Sequence, residues 1–249
     1  TIRWGESSRR LMRFCRSDSI VSVCGTTMQN ETTGLEQVYR HHHETRRGEG
    51  FVMLGEERGS FLKAHIGIGK RVLDIGCRDG ALAAWYREGN EVTGVDVDRV
   101  ALGRAEATLG IRTLHADLNG AWGEIPKHSF DVVVAAEILE HLYYPSVVLE
   151  KIAARLTPGG ILLGSIPHAF SIQNRVRLAL GTKRGTPLQD PTHINHFWWR
   201  EFTALLEKEF VVREIKPILS KKFSWIPVAS VRMSFAHSVL FCAQKKNHA

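Results

Sequence analysis

From residue 71 to the C-terminus, short apolar runs and amphipathic stretches take turns along the chain. The strand-like runs are RVLDIGC (71–77), EVTGVDV (91–97), IRTLHAD (111–117), FDVVVAAE (130–137), GILLGSIP (160–167), FVVREIKPI (210–218) and SVLFCAQK (238–245). Helical patterns fill the intervals at about 80–88, 98–109, 145–157 and 199–208. Near-continuous apolar strands alternating with helices predict an α/β fold, a parallel sheet covered on both faces. No helical pattern separates the last two strands, which predicts an antiparallel pair at one edge. The expectation is a doubly wound, seven-stranded sheet, mostly parallel, with an antiparallel last strand.

Three segments stand outside the alternation. Residues 1–34 lack periodicity and mix Arg and Ser with scattered apolar positions, so they are expected to be loosely ordered, with Met28 an alternative start. They resemble a basic targeting peptide, except that Glu6 and Asp18 interrupt the charge. Two helical patterns follow, LEQVYRHHHETR and EERGSFLKAHIG, the second stopping at Gly67. His41, His42 and His43 look like a metal tract, yet consecutive helical residues point in different directions and do not converge on one ion. The third segment, 168–198, holds a short helix from Ser171, a good N-cap, to Gly181, a good stop, followed by a basic loop. An insertion after the carboxyl end of a central strand overlies the crevice where such sheets bind ligands, so 168–198 is the expected substrate lid of a domain spanning 35–249.

Composition narrows the class. Hydrophobic residues make up 43% and charged residues 24% of 249 positions, ordinary for a soluble globular protein. No run approaches the roughly 18 apolar residues of a membrane span. The formal charge of +7 suits an anionic partner such as nucleic acid, a phosphorylated glycan or a membrane surface. The cations cluster, at Arg9–Arg16, at Arg175, Arg177, Lys183 and Arg184, at Lys221 and Lys222, and at Lys245 and Lys246, and read first as solvated faces. Cys15, Cys24, Cys77 and Cys242 have no metal or disulfide spacing, which fits a reducing cytoplasm.

The turn after the first strand carries the candidate chemistry. VLDIGCRDG places Asp74, Gly76 and Gly80 where a strand runs into a helix N-terminus, and the second strand ends in Asp96. A dinucleotide fingerprint reads GxGxxG. Here the spacing is D-x-G-x-x-x-G, and Asp74 with Asp79 would repel a diphosphate. A cofactor with a cationic end fits this turn better.

With these marks, and with FDVVVAAEILEHL, LTPGG (156–160) and the hairpin end SVLFCAQKK, the chain resembles the class I S-adenosylmethionine (SAM)-dependent methyltransferases over roughly 50–245. The resemblance implies a Rossmann-like fold and SAM as cofactor. It implies that Asp74, Gly76, Cys77 and Gly80 hold the methionyl part, that Asp96 binds the ribose hydroxyls with Val97 on the adenine, and that Asp117 meets the adenine amino group beside Leu118. Ala135 to Glu137 would line the methionine side. The family usually has glycine where this chain has Arg78. If that backbone needs positive φ, the substitution costs about 1 kcal/mol. Arg78 otherwise keeps an ordinary conformation and reaches toward a carboxylate, or sits exposed on the surface.

Methyl transfer from a sulfonium is an in-line displacement, so alignment and exclusion of water matter most, with a base where the acceptor is a hydroxyl. His168, His141 and His193 are the candidate catalytic residues, with His196 beside them. The E-x-x-E-H of Glu137, Glu140 and His141, with His193 downstream, is similar to that of metal-assisted O-methyltransferases such as small-RNA 2′-O-methyltransferases and ubiquinone-type enzymes. Ion binding and plain lining of the cofactor pocket both stay open, and no residue is assigned to a metal. The lid resembles that of methionine-biosynthesis W-type proteins and of glycan-cluster methyltransferases. The expected partner is therefore a small-molecule or glycan acceptor, anionic in character, methylated on O or N. An RNA acceptor is second, since no RNA-binding appendage is recognisable. A non-catalytic partner protein that keeps the fold is third.

Overall fold

Seven strands, all at or within a few residues of their predicted places, form one sheet in the order β3-β2-β1-β4-β5-β7-β6. They are β1 (Arg71–Ile75), β2 (Glu91–Asp96), β3 (Arg112–His115), β4 (Phe130–Ala136), β5 (Leu156–Pro167), β6 (Phe210–Ile218) and β7 (Ser238–Lys245). The first five pair in parallel, and β7 runs antiparallel to both β5 and β6. This is the doubly wound Rossmann-like arrangement expected. The computed structural model describes residues 34–223 and 225–247, within a compact unit spanning Thr33–Ala249. The N-terminal segment expected to be loosely ordered, with Cys15, Cys24 and Met28, lies outside the described residues except for Gly34.

Period-two alternation sorts side chains to two cores. Leu73, Ile75, Val95 and Val133 face a cluster completed by Leu149, Ile152, Phe202 and Leu206. Val72, Val92, Val132 and Val134 face another containing Phe61, Leu62, Ile66 and Tyr86. Leu149 and Ile152 come from α4 (Pro145–Arg155), Phe202 and Leu206 from α6 (Trp199–Leu206), and Phe61, Leu62 and Ile66 from α2 (Gly55–Ile66), while α3 (Arg99–Leu109) adds Ala105 to the second core. Asp98 caps α3 by accepting from the Val100 and Ala101 amides at 3.0 and 3.2 Å.

The helical pattern at 80–88 does not become an α-helix. A single 3₁₀ turn, Ala83–Trp85, stands there. Local bonds compete with helix propagation: Asp79 Oδ1 accepts the Ala81 amide, the Tyr86 hydroxyl turns inward to Asp74, and Asn90 Nδ2 donates to the Tyr86 and Gly67 carbonyls. The second departure is a short helix between the last two strands, α7 (Ala229–Ser234), which the sequence pattern does not announce.

The inserted segment folds back on the sheet's carboxyl edge. Its helix, α5 (Ile172–Ala179), starts at Ser171, whose hydroxyl accepts the Asn174 amide at 3.4 Å. The returning chain makes an isolated bridge between His168 and Phe197, and the Ile194 and Asn195 amides both donate to the Glu140 carbonyl. Among the described residues no helix is long and apolar enough to cross a membrane.

Candidate functional site

The carboxyl ends of β1, β2, β3 and β4 open into one cleft, with about 700 Å³ of empty space. It lies where the strand order reverses between β1 and β4, the position at which such sheets take ligands. Gly76, Asp96, Val97, Asp117, Leu118 and Glu137 all line it, from the ends of these four strands or within three residues beyond them. Gly76 has φ +74°, and a Cβ there would lie 2.8 Å from the Ile138 side chain, so only glycine leaves the floor open.

The other predicted cofactor residues stand behind this wall. Asp74 shares the face of Val72, so its carboxyl enters the second core and accepts the Tyr86 hydroxyl at 2.7 Å. Burial pushes it up to about 7. Cys77 and Cys242 are buried free thiols, and Gly80 and Ala135 shape the turn and strand without lining the cleft.

Asp96 is the most constrained group of the set. It is buried, its Oδ1 accepts the Asp98 amide at 2.9 Å, and its Oδ2 accepts the Arg78 amide at 2.9 Å. Burial raises its pKa, and these backbone donors pull it back down. Asp117 is exposed at the rim, where its Oδ1 accepts the Asn119 amide at 2.8 Å.

Two of the alternatives for Arg78 hold together. It does take the left-handed conformation, φ +52°, and its side chain is also engaged. The guanidinium donates to the Phe51 carbonyl at 3.1 Å and to the Gly48 carbonyl, and pairs with Asp79 at 3.1 Å. Asp79 in turn accepts the Gly50 amide at 2.8 Å. Arg78 thus ties residues 48–51 to the turn after β1. A glycine would avoid the backbone strain and lose that tie.

The first helix contributes residues that sequence reasoning left out of the site. In α1 (Gly34–His42) and the turn after it, Leu35, Tyr39, His42 and His43 line the cleft. The three histidines diverge as helical geometry requires: His41 is exposed, His42 faces Asp190 at 3.6 Å and His43 faces Asp98 at 3.4 Å. Burial, with Glu140 and Asp96 nearby, pushes the Tyr39 hydroxyl up, so it stays protonated. The available signal was the amphipathic pattern of LEQVYRHH, which shows a buried face without showing what lies against it.

Arg58 of α2 was also missed. It is buried and pairs with Glu137 at 2.8 Å, while the Ser238 hydroxyl donates to the same carboxylate oxygen at 3.0 Å. Glu137 itself is held at φ +55°.

The candidate catalytic histidines separate. His168 is fully enclosed, its Nδ1 on the Ala236 carbonyl at 3.2 Å, and burial lowers it to about 4. It does not line the cleft. His196 is half-buried and lowered by burial. His141 does line the cleft, and the returning segment sets His193 against it with ring centroids 4.8 Å apart. The ligand atoms of Glu140, His141 and His193 all lie within 4.8 Å of one another. Glu137, turned to Arg58, is not in that cluster.

Comparison with known proteins bears on the family. Residues 53–209 match the model of a methyltransferase domain. An uncharacterized methyltransferase of Mycobacterium tuberculosis is 41% identical over 108 residues, 41% of this chain and 54% of that protein. The ubiquinone biosynthesis O-methyltransferase of Vibrio cholerae is 37% identical over 110 residues, 39% of this chain and 42% of that protein. The chain thus spans about half the length of these curated relatives. Among solved structures, the 1,6-didemethyltoxoflavin-N1-methyltransferase of Burkholderia thailandensis, with S-adenosylhomocysteine bound, superposes with a TM-score of 0.62 at 19% identity, covering 86% of this chain and 88% of that one. On fold, strand-end residues and family match, the chain belongs to the methyltransferase-domain family, whose cofactor is SAM.

Proposed function

We propose that the chain transfers a methyl group from SAM to an oxygen or nitrogen of a small-molecule or glycan acceptor. The observation that carries this reading is the convergence of Gly76, Asp96, Val97, Asp117, Leu118 and Glu137 on one cleft. The residues suit the group: a glycine floor for close backbone approach, a buried carboxylate for two ribose hydroxyls, apolar Val97 and Leu118 for a purine, and carboxylates for a cationic end. SAM bound there supplies an electrophilic methyl on sulfur. The chain's own part is to hold the reactants in line and exclude water, for which Leu35 and Tyr39 of α1 cover the cleft and 168–198 serves as the acceptor lid. Asp74, Cys77, Gly80 and Ala135 hold the turn and strand from behind.

His141 is the base this reading prefers. Its Nδ1 lies 2.9 Å from the Thr192 carbonyl, which only an Nδ1–H can satisfy, so in the neutral ring Nε2 carries the lone pair. His168, enclosed, is assigned to positioning the start of the lid, its Nδ1 on the Ala236 carbonyl at 3.2 Å, while its main-chain carbonyl accepts the Asn174 side-chain amide at 3.1 Å. Calorimetry with SAM tests the reading, with Kd expected below about 1 mM, or better than about 4 kcal/mol. Weaker binding assigns the chain to the non-catalytic alternative, and a salt-sensitive gel shift with RNA would move the acceptor class to RNA.

A second reading concerns a metal. His193 Nδ1 lies 3.0 Å from the Pro187 carbonyl, so its lone pair too is at Nε2. Two imidazoles oriented from behind by backbone carbonyls, with one carboxylate, make a mixed N/O set suited to Mn²⁺, Co²⁺ or Zn²⁺ rather than to Mg²⁺. Glu140, His141 and His193 would hold the ion, which would polarise an acceptor hydroxyl. Mn²⁺ is expected to raise the melting temperature of EDTA-treated protein, Mg²⁺ to do so much less, and His193→Ala to abolish the difference. Identical melting curves with and without Mn²⁺ would sink it.

A further inference from the structure

The helix that opens the lid is inside out. In α5 and its C-cap the apolar residues Ile172, Val176 and Leu180 recur at four-residue spacing and are exposed, Leu180 to 77%, whereas the polar Asn174 is the buried residue of the helix. A second exposed apolar group lies beside it, Trp225 at 76% with Val228 and Val231 around the start of α7. The two are neighbours. Pro167 pairs with Ser238, so the exit of β5 and the entry of β7 lie side by side, and Gln173 of α5 donates to the Phe235 carbonyl just after α7. The Phe223 ring lies 4.8 Å from that of Phe235, holding the turn before Trp225 against the same spot. The whole patch lies at the carboxyl edge of the sheet, as does the cleft.

The chain segments that form this patch carry charge of one sign. No Asp or Glu occurs from Lys151 to Gln189, nor anywhere after Glu214. Those stretches carry Arg175, Arg177, Lys183 and Arg184 on one side and Lys221, Lys222 and Arg232 on the other. The partners of Arg175 and Arg177 are the carbonyls of Phe170 and Gly185, the Asn174 side-chain oxygen and the Trp198 ring, none of them a carboxylate, so their charge is left for an external anion. Exposed aliphatic side chains and an exposed Trp, ringed by cations, are the chemistry of a surface that lies in a bilayer interface. RNA would call for stacking rings in place of Leu180, Val176 and Val228.

We infer that the α5–α7 face docks on an anionic membrane surface, inserting Leu180 and Trp225 below the headgroups while the surrounding Arg and Lys meet lipid phosphates. This places the mouth of the cleft at the interface, independently of which acceptor the cleft methylates.

Vesicle flotation of the full chain tests it, using phosphatidylcholine alone and an equal mixture of phosphatidylcholine and phosphatidylglycerol. The protein is expected on the mixed vesicles and not on the neutral ones. Leu180→Asp, at an exposed position that leaves the core untouched, and the pair Lys183→Glu/Arg184→Glu should each weaken partition by at least about tenfold. Circular dichroism checks that each variant keeps its fold. Trp225→Phe should remove a blue shift of tryptophan fluorescence seen on vesicle addition. Failure to float with the mixed vesicles overturns the inference. So does flotation that Leu180→Asp leaves unchanged, since the contact would then lie elsewhere on the chain, and so does binding of mixed-sequence RNA without any flotation.

Discussion

Replacing Asp96 by alanine is expected to weaken SAM binding by about 1–3 kcal/mol, roughly 5- to 150-fold in Kd. The size follows from two roles of one carboxylate. Facing the cleft, it is the acceptor for the ribose hydroxyls in the proposed site. On its other side it accepts the Asp98 and Arg78 amides, both at 2.9 Å, and so joins the end of β2 to the turn after β1. Alanine removes the ligand contact and leaves the Arg78 amide without its acceptor in a left-handed conformation. Asparagine keeps one acceptor oxygen and should lose less than alanine. Calorimetry of the three proteins with SAM measures this, and equal affinity in Asp96→Ala would refute the ribose assignment.

Arg58→Met should be the most destabilising of the single changes considered. The Arg58 guanidinium and the Glu137 carboxylate are both withdrawn from water and 2.8 Å apart. Cutting one member from a buried pair strands the other, at a cost of about 3–5 kcal/mol, equivalent to about 6–20 °C in melting temperature for a domain of this size. The pair also holds Glu137 at its positive φ, where it lines the cleft, so affinity for SAM should fall with stability. Adding Glu137→Gln to Arg58→Met removes the stranded charge and should recover about half of the lost stability. Scanning calorimetry checks both. A melting temperature for Arg58→Met within about 2 °C of the parent would show that the pair contributes little.

The contrast between these residues shows what the chain makes legible and what it does not. Asp96 could be picked from the sequence because it sits at the end of an apolar run whose length and alternation mark a strand. The same holds for Gly76, Asp117 and Glu137. Arg58 carries no such mark. It belongs to the helical pattern EERGSFLKAHIG, which carries no motif, and its partner is 79 positions away in the chain. Tyr39, His42 and His43 were hidden for the same reason. Asp74 shows a feature the sequence does not print: strand alternation sends its carboxyl to Tyr86. Register on a pleated strand, not distance along the chain, decides which neighbour faces the cleft.

The sequence by itself determined the sheet, its seven strands, its parallel body with an antiparallel last strand, and the four strand ends that meet in the cleft. Local hydrophobic period and turn chemistry depend only on near neighbours, and near neighbours are what a sequence records. The tertiary structure alone decided that 80–88 winds into a single 3₁₀ turn, that α1 lines the cleft, that Arg78 is both strained and tied to Gly48 and Phe51, and that His193 comes to rest beside His141. Each of these depends on side chains brought together by the packing of separate elements, and no pattern along one segment specifies which distant segment it will meet.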